Sequence, residues 1–256
     1  MKYIRKAIII VLVAVFVAAA AIGLSVIFAV RNVNVFAVAY DRGGSVSAEF
    51  ASAVEKIEAD LSSLRGRIMS GINEDTVAGL IDEGYAEFVS YEEVLPCTVN
   101  VTVRERVEVF AVSSEEGGYE ILDGGLKRMA VKPFNVNNLD GSPNVLLENV
   151  PEDSYPLVAQ IAELMNEKFS SVRAFAESIS VVPSELSGRG DSLNIKLRCG
   201  LTMEIREYAS SAAEKAEALF EAFGGMSDTL KLGGTMYCLA SEDGAMRVVL
   251  PDGTYQ

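Results

Sequence analysis

The chain has 256 residues, with 22 Lys and Arg against 36 Asp and Glu, no His, no Trp and three Cys. Without His there is no Ser-His-Asp or Cys-His nucleophile system and no His-ligated zinc, and three scattered Cys make neither a paired CxxC site nor a dense disulfide framework. The net charge of −14 argues against binding nucleic acid through phosphates, while a hydrophobic content of 50% excludes the disordered class.

Charge divides the chain unevenly. Residues 1–30 hold Lys2, Arg5 and Lys6 and no acid, so the rest carries nineteen bases against all 36 acids, a net of −17. Ala7 to Val30 is an uncharged run of 24 residues, AIIIVLVAVFVAAAAIGLSVIFAV. As a helix it extends about 36 Å, enough to cross a hydrocarbon core of about 30 Å. The basic stub at 1–6 is expected in the cytoplasm and the acidic remainder outside. A cleaved signal peptide with its site at Ala18-Ala19-Ala20 is the rival reading. The apolar run continues ten residues past Ala20, longer than a signal peptide's apolar region, and favours an uncleaved anchor in the bilayer.

Beyond the anchor, residues 31–40 alternate as a strand through Val33, Val35 and Val38, and Asp41-Arg42-Gly43-Gly44 is a turn. Ser47 is placed to cap a helix with Phe50, Val54, Ile57 and Leu61 at helical spacing, ended by Gly66. Asn73 caps a second helix with the stripe Val77, Leu80 and Ile81, stopped by Gly84. Two strands follow: Glu87 to Glu92 alternates, and after Leu95-Pro96 the residues Val99, Val101 and Val103 face one way. The order through Arg106 is strand, helix, helix, strand, strand, a unit expected at 31–106.

Residues 107–256 read as a second α+β domain with a mostly antiparallel sheet and flanking helices. Strands are expected at 107–112 and 119–122, with a turn at Asp123-Gly124-Gly125, and the stretch 131–150 reads as loop-rich. Asp153 or Ser154 caps a helix with the stripe Leu157, Ile161, Leu164 and Met165, flanked by Val158, and 174–182 is a strand followed by a turn at 187–191. A hairpin around Gly200 joins 193–199 to 201–206, and Ser210 or Ser211 starts a helix through Ala216, Leu219 and Phe220. Strands at 235–240 and 245–250 flank the turn Glu242-Asp243-Gly244.

Chemistry-bearing motifs are sparse. Asn100-Val101-Thr102 lies inside a strand and Arg189-Gly190-Asp191 in a turn, so neither reads as a glycan acceptor or an integrin ligand. Cys97, Cys199 and Cys238 fall in expected strands and read as buried small residues, with a Cys199–Cys238 bridge as the alternative. There is no Ser-x-x-Lys or Gly-x-Ser-x-Gly, and Glu115-Glu116 and Glu242-Asp243 sit in turns as solvated acids. No enzyme activity, cofactor, metal site, small-molecule substrate or nucleic acid is expected.

The order and spacing of these elements resemble the bacterial cell-division proteins of the FtsQ/DivIB family. In that family a cytoplasmic tail and one membrane helix lead into a POTRA domain of βααββ order, followed by a β-rich domain. Its last POTRA strand typically reads Pro-Asn-Thr-Leu-x-Ile-x-Val-x-Glu-Arg-x-Pro. Pro96, Thr98, Val99, Val101, Val103, Glu105 and Arg106 match that pattern, with Cys97 in place of Asn and Glu108 in place of Pro. Ile121-Leu122-Asp123-Gly124-Gly125 is similar to the family's following Asp-x-x-Gly turn. The resemblance implies four segments: a tail at 1–6, a membrane helix at 7–30, a POTRA domain at 31–106 and the β domain at 107–256.

It also implies a bitopic scaffold at the division septum that connects early and late division proteins and helps regulate septal peptidoglycan synthesis. The implied partners are small bitopic coiled-coil proteins of the FtsL and FtsB/DivIC types. Strand addition at the terminal strand is the expected mechanism, with Tyr237, Leu239, Met246, Arg247, Val248 and Leu250 as contacts. The alternative is that Leu239, Val248 and Val249 belong to the core of a central strand. Val33, Val35 and Val38 are candidates for a second edge. Competing functions are an extracytoplasmic regulator or inhibitor of a cell-wall enzyme, with a pocket near Asp123, Glu204 or Asp228, and a specialised paralogue such as a sporulation form.

Overall fold

A computed structural model describes residues 2–40, 46–81, 84–114, 117–184, 190–240 and 246–255. The expected turns at 41–44 and 242–244, the acids at 115 and 116, and most of the turn at 187–191 lie outside the described residues. The chain is α+β and divides into two units, Met1–Arg106 and Val107–Gln256.

Helix α1 (Lys2–Ile27) has a mean hydropathy of 2.9 over Ile10–Ile27, and none of that window is buried. It is long and apolar enough to cross a membrane, and apolar on every side rather than along one stripe. The helix stops three residues short of the end of the apolar run. Ala29 pairs with Ile68 as an antiparallel bridge, the Val30 amide donates to the Arg67 carbonyl at 2.8 Å, and the Val30 side chain is 1% exposed. Those last apolar residues are a seam of the folded unit, because their backbone groups find partners there.

The first unit continues with β1 (Asn32–Val38), α2 (Ala48–Leu61), α3 (Glu74–Ala78), β2 (Ala86–Val94) and β3 (Thr98–Glu105). The sheet order is β1-β3-β2, with β1 parallel and β2 antiparallel to the central β3. Ser47 caps α2 by accepting the Phe50 amide, and Asn73 caps α3 by accepting the Thr76 amide at 2.8 Å. Helix α3 is one turn long rather than reaching Gly84, since Gly79 ends it. Val77 and Ile81 are nonetheless buried. Phe50, Ile57, Leu61, Val77, Val99, Val101 and Val103 share one core, so one sheet face is packed and the other open.

The second unit holds β4 (Phe110–Ser113), β5 (Tyr119–Leu122), β6 (Arg128–Lys132), β7 (Val145–Glu148), α4 (Tyr155–Phe169), α5 (Val172–Phe175), β8 (Ala176–Val182), β9 (Ser192–Leu197), β10 (Thr202–Ile205), α6 (Ala212–Gly225), β11 (Thr235–Ala240) and β12 (Met246–Val249). They form one nine-stranded sheet in the order β12-β11-β10-β9-β8-β7-β4-β5-β6. Among the described residues, five neighbouring pairs are antiparallel and three parallel. Helices α4 and α6 pack on the sheet and close a core that includes Phe110, Ile161, Met165, Ile179, Ile195, Met203, Leu219 and Phe220.

The second unit departs from its expected reading at β7 and on α4. The stretch 131–150 holds β7, which joins the sheet's two halves by pairing in parallel with β4 and β8. A four-residue strand between Pro143 and Pro151 leaves almost no periodic signal, and its partners are remote in sequence. On α4 the buried face is Val158, Ile161, Ala162 and Met165, turned by about one residue from the expected stripe, with Leu157 and Leu164 at its margins.

The 133–144 loop is held from beneath. Glu108 is fully buried and its Oε1 meets Lys132 Nζ at 2.6 Å, while Asn137 Nδ2 donates to the Glu108 carbonyl and to Asn144 Oδ1, each at 2.8 Å. The acid that stands where the resembling family has Pro is thus the anchor of a loop.

All three cysteines are free. Cys238 is buried in β11, where burial pushes its thiol up, but Cys97 and Cys199 lie in turns and Cys199 is exposed. The tight turn at Gly200 removes Cys199 from the strand in which it was expected.

Candidate interaction edges

Strand β12 is the outermost strand at one end of the nine-stranded sheet. Its register on β11 is antiparallel, pairing Tyr237 with Val249, Cys238 with Val248, Leu239 with Arg247 and Ala240 with Met246. Residues directly opposite share a face, so Tyr237, Leu239 and Arg247 lie on the face away from the helices, while Val248 and Met246 lie on the core side. Burial agrees: Leu239 and Arg247 are exposed, Tyr237 is half-buried, Val248 is in the core and Met246 packs at its margin, 3.8 Å from Cys238 Sγ through its sulfur.

The backbone follows the opposite logic. The Leu250 amide points away from β11, donating to the Thr254 carbonyl at 2.8 Å. By the alternation of an antiparallel ladder, the N–H and C=O groups of Met246 and Val248 also face outward, and those of Arg247 and Val249 serve the ladder to β11. Val248 therefore turns its backbone, not its side chain, to the outer side of the sheet. Arg247 presents its side chain only.

The open face beside this edge is organised by Arg206. Its guanidinium carbon lies 3.6 Å from the centre of the Tyr237 ring, and one nitrogen donates to Glu204 Oε2 at 3.0 Å. Ser192 Oγ donates to the other Glu204 oxygen at 3.2 Å. The stacked cation and ring form a fixed platform next to Leu239 and Arg247.

One part of the edge escaped the sequence reading. The chain turns after Leu250 and brings Tyr255 opposite Val249 as an antiparallel bridge. The Asp252-Gly253 dipeptide is the turn signal that marks it.

In the first unit β1 is likewise an outer strand. Val33 and Val35 are half-buried against the core, whereas Val38 and Phe36 are 44% and 52% exposed. A shallow cavity of about 450 Å³ runs beside this edge, lined by Val33, Asn34, Val35, Phe36, Glu58 and Arg65. Phe36, part of the strand pattern but not among the edge candidates, is the larger exposed contact.

The motif residues at the end of β3 are structural. Pro96 sits in the β2–β3 turn, and Thr98 Oγ1 accepts from Asn32 Nδ2 at 3.5 Å. Glu105 is 3% exposed and accepts two backbone amides, and Arg106 donates to the Gly84 carbonyl at 2.8 Å. Asp123 Oδ1 accepts the Gly125 and Lys127 amides, each at 2.9 Å, closing the β5–β6 turn.

Glu204 is engaged as above, and Asp228 is exposed, 3.7 Å from Lys231. A cavity of about 430 Å³ near the Asp123 turn is lined by Gly124, Gly125 and α4 residues including Gln160 and Glu163. Among the described residues no group of three His, Cys, Asp or Glu side chains is placed to hold a metal. No known family model matches the chain, and no curated protein is significantly similar to it in sequence.

Proposed function

We propose that the chain is a membrane-anchored division scaffold of the FtsQ/DivIB type. It holds small bitopic coiled-coil partners of the FtsL and FtsB/DivIC types by strand addition, connects early and late division proteins at the septum, and helps regulate septal peptidoglycan synthesis. The observation that carries this reading is β12: an outer strand with outward backbone groups at Met246 and Val248, flanked by Arg247, Leu239 and the Tyr237–Arg206 platform. A partner strand gains main-chain hydrogen bonds along the edge and places an acid against Arg247.

The first unit supports the same reading. Its βααββ order and its β1-β3-β2 sheet support reading it as a POTRA domain. Lys2, Arg5 and Lys6 in the first turns of α1 favour a cytoplasmic N-terminus, with both folded units outside and the acidic charge keeping them off anionic lipid. Edge β1, through Phe36 and Val38, is a second docking candidate.

The test is co-purification of the full chain with tagged FtsL- and DivIC-type proteins of the host. Val248→Pro removes one outward N–H and leaves the ladder to β11 intact, since proline is tolerated on edge strands. Loss of capture with an unchanged circular dichroism spectrum supports the reading, and so does a midcell band from a fluorescent fusion. Undiminished capture by the variant, or a uniform peripheral signal, counts against it.

A further inference from the structure

The segment after β12 occupies the edge that the proposed function needs. Val249 is flanked on one side by Tyr237 and on the other by Tyr255, and the Leu250 amide, one of three outward donors, is taken by the Thr254 carbonyl at 2.8 Å. The turn is latched. Asp252 Oδ1 accepts the Thr254 amide at 3.0 Å and the Thr254 hydroxyl at 2.7 Å, and the Gly253 amide donates to the Leu250 carbonyl at 2.9 Å. At its base Pro251 lies against Gly234, where a Cβ would stand 2.9 Å from the proline ring.

We propose that Leu250–Tyr255 is a clasp on the β12 edge: closed, it limits an added strand to Met246–Val248, and full strand addition requires it to swing aside. This inference rests on the strand-addition reading above and adds its regulation. The open edge is short while the clasp is shut, which protects the protein from edge-to-edge pairing with copies of itself. A partner binds the open form, so its apparent affinity falls by the fraction of molecules that are open. The Tyr255 ring, 69% exposed, adds little burial, so the clasp is held to the edge chiefly by the Leu250 bond, and the Asp252 latch fixes the turn that presents the Thr254 carbonyl to it. Thr254, through its hydroxyl first and its amide second, holds the Asp252 carboxyl below the usual carboxylate range, so the latch remains charged across physiological pH.

Two variants of the full chain test this in the capture assay. Val249 and Tyr255 form a non-hydrogen-bonded pair, with Cα atoms about 4.5 Å apart in such pairs, inside the disulfide range. Val249→Cys with Tyr255→Cys, in a Cys97→Ser, Cys199→Ser background, locks the clasp on oxidation. Asp252→Ala loosens it without touching the core. The expected result is capture about tenfold lower for the oxidised pair, restored by reductant, and severalfold higher for Asp252→Ala. Unaltered capture by the oxidised pair, or by Asp252→Ala should the pair fail to fold, overturns the clasp and leaves the docking edge standing. Absence of capture by the wild type and by Asp252→Ala alike overturns the docking reading and the clasp with it.

Discussion

The Glu105 carboxylate accepts the Ser47 amide at 2.9 Å through one oxygen, and the Tyr40 amide at 3.2 Å through the other. One buried acid at the end of β3 thus holds both ends of the segment that joins β1 to α2. Its neighbour Arg106 pins the two residues that lead into β2, donating to the Gly84 carbonyl at 2.8 Å while its amide donates to the Tyr85 carbonyl at 2.9 Å. The Glu-Arg pair that closes this strand is a clamp on two connections.

Glu105→Gln keeps one acceptor but turns an NH2 group toward an amide donor, leaving a buried donor unmatched. The expected cost is about 1–3 kcal/mol, felt by the first unit. Urea unfolding followed by circular dichroism, with hydrogen exchange assigning the loss to residues 30–106, checks it.

Val30 belongs to the folded unit although its sequence continues the membrane run. Val30→Ala is expected to cost about 1.5–3 kcal/mol, the scale of burying such a side chain. Val17→Ala, on the exposed part of α1, leaves the stability of that unit unchanged. Equal effects of the two substitutions in hydrogen exchange count against this boundary.

Asp140 gives the 133–144 loop a pH dependence. The Ser142 hydroxyl, with help from its amide and from Arg173, holds the Asp140 carboxyl below the usual range. A depressed pKa in the folded state means the stabilisation is complete above the ordinary carboxylate pKa of about 3.9 and is lost as pH falls through the lower folded value. Exchange of loop amides is therefore expected to be flat near neutrality and to rise below about pH 4 relative to the intrinsic rate. Asp140→Asn removes that rise.

Gly200 occupies φ +99° in the β9–β10 turn, and a Cβ there would stand 2.9 Å from the Leu232 carbonyl oxygen. Gly200→Ala is strained twice, by the dihedral and by the contact. A loss of about 1–3 kcal/mol is expected in the second unit, with the first unaffected. Thermal unfolding of the variant, with separate exchange readouts for the two units, measures it.

What the sequence determined by itself was local. An uncharged run of membrane length, the side-chain caps at Ser47 and Asn73, the alternation of Val99, Val101 and Val103 and the turn at Gly200 all act through neighbours a few residues apart. Most element positions follow from them. The tertiary structure alone decided everything set by pairing between distant segments. It took Val30 out of the apolar run and made β7, hidden in a stretch rich in Pro, Gly and Asn, the bridge between two halves of the sheet. It put β12 at the edge, where Val248 gives its side chain to the core and its backbone to the outside. It folded Tyr255 back onto Val249. A strand's sequence carries its period of two, but which backbone groups remain unpaired depends on which strands arrive beside it, and those come from other parts of the chain.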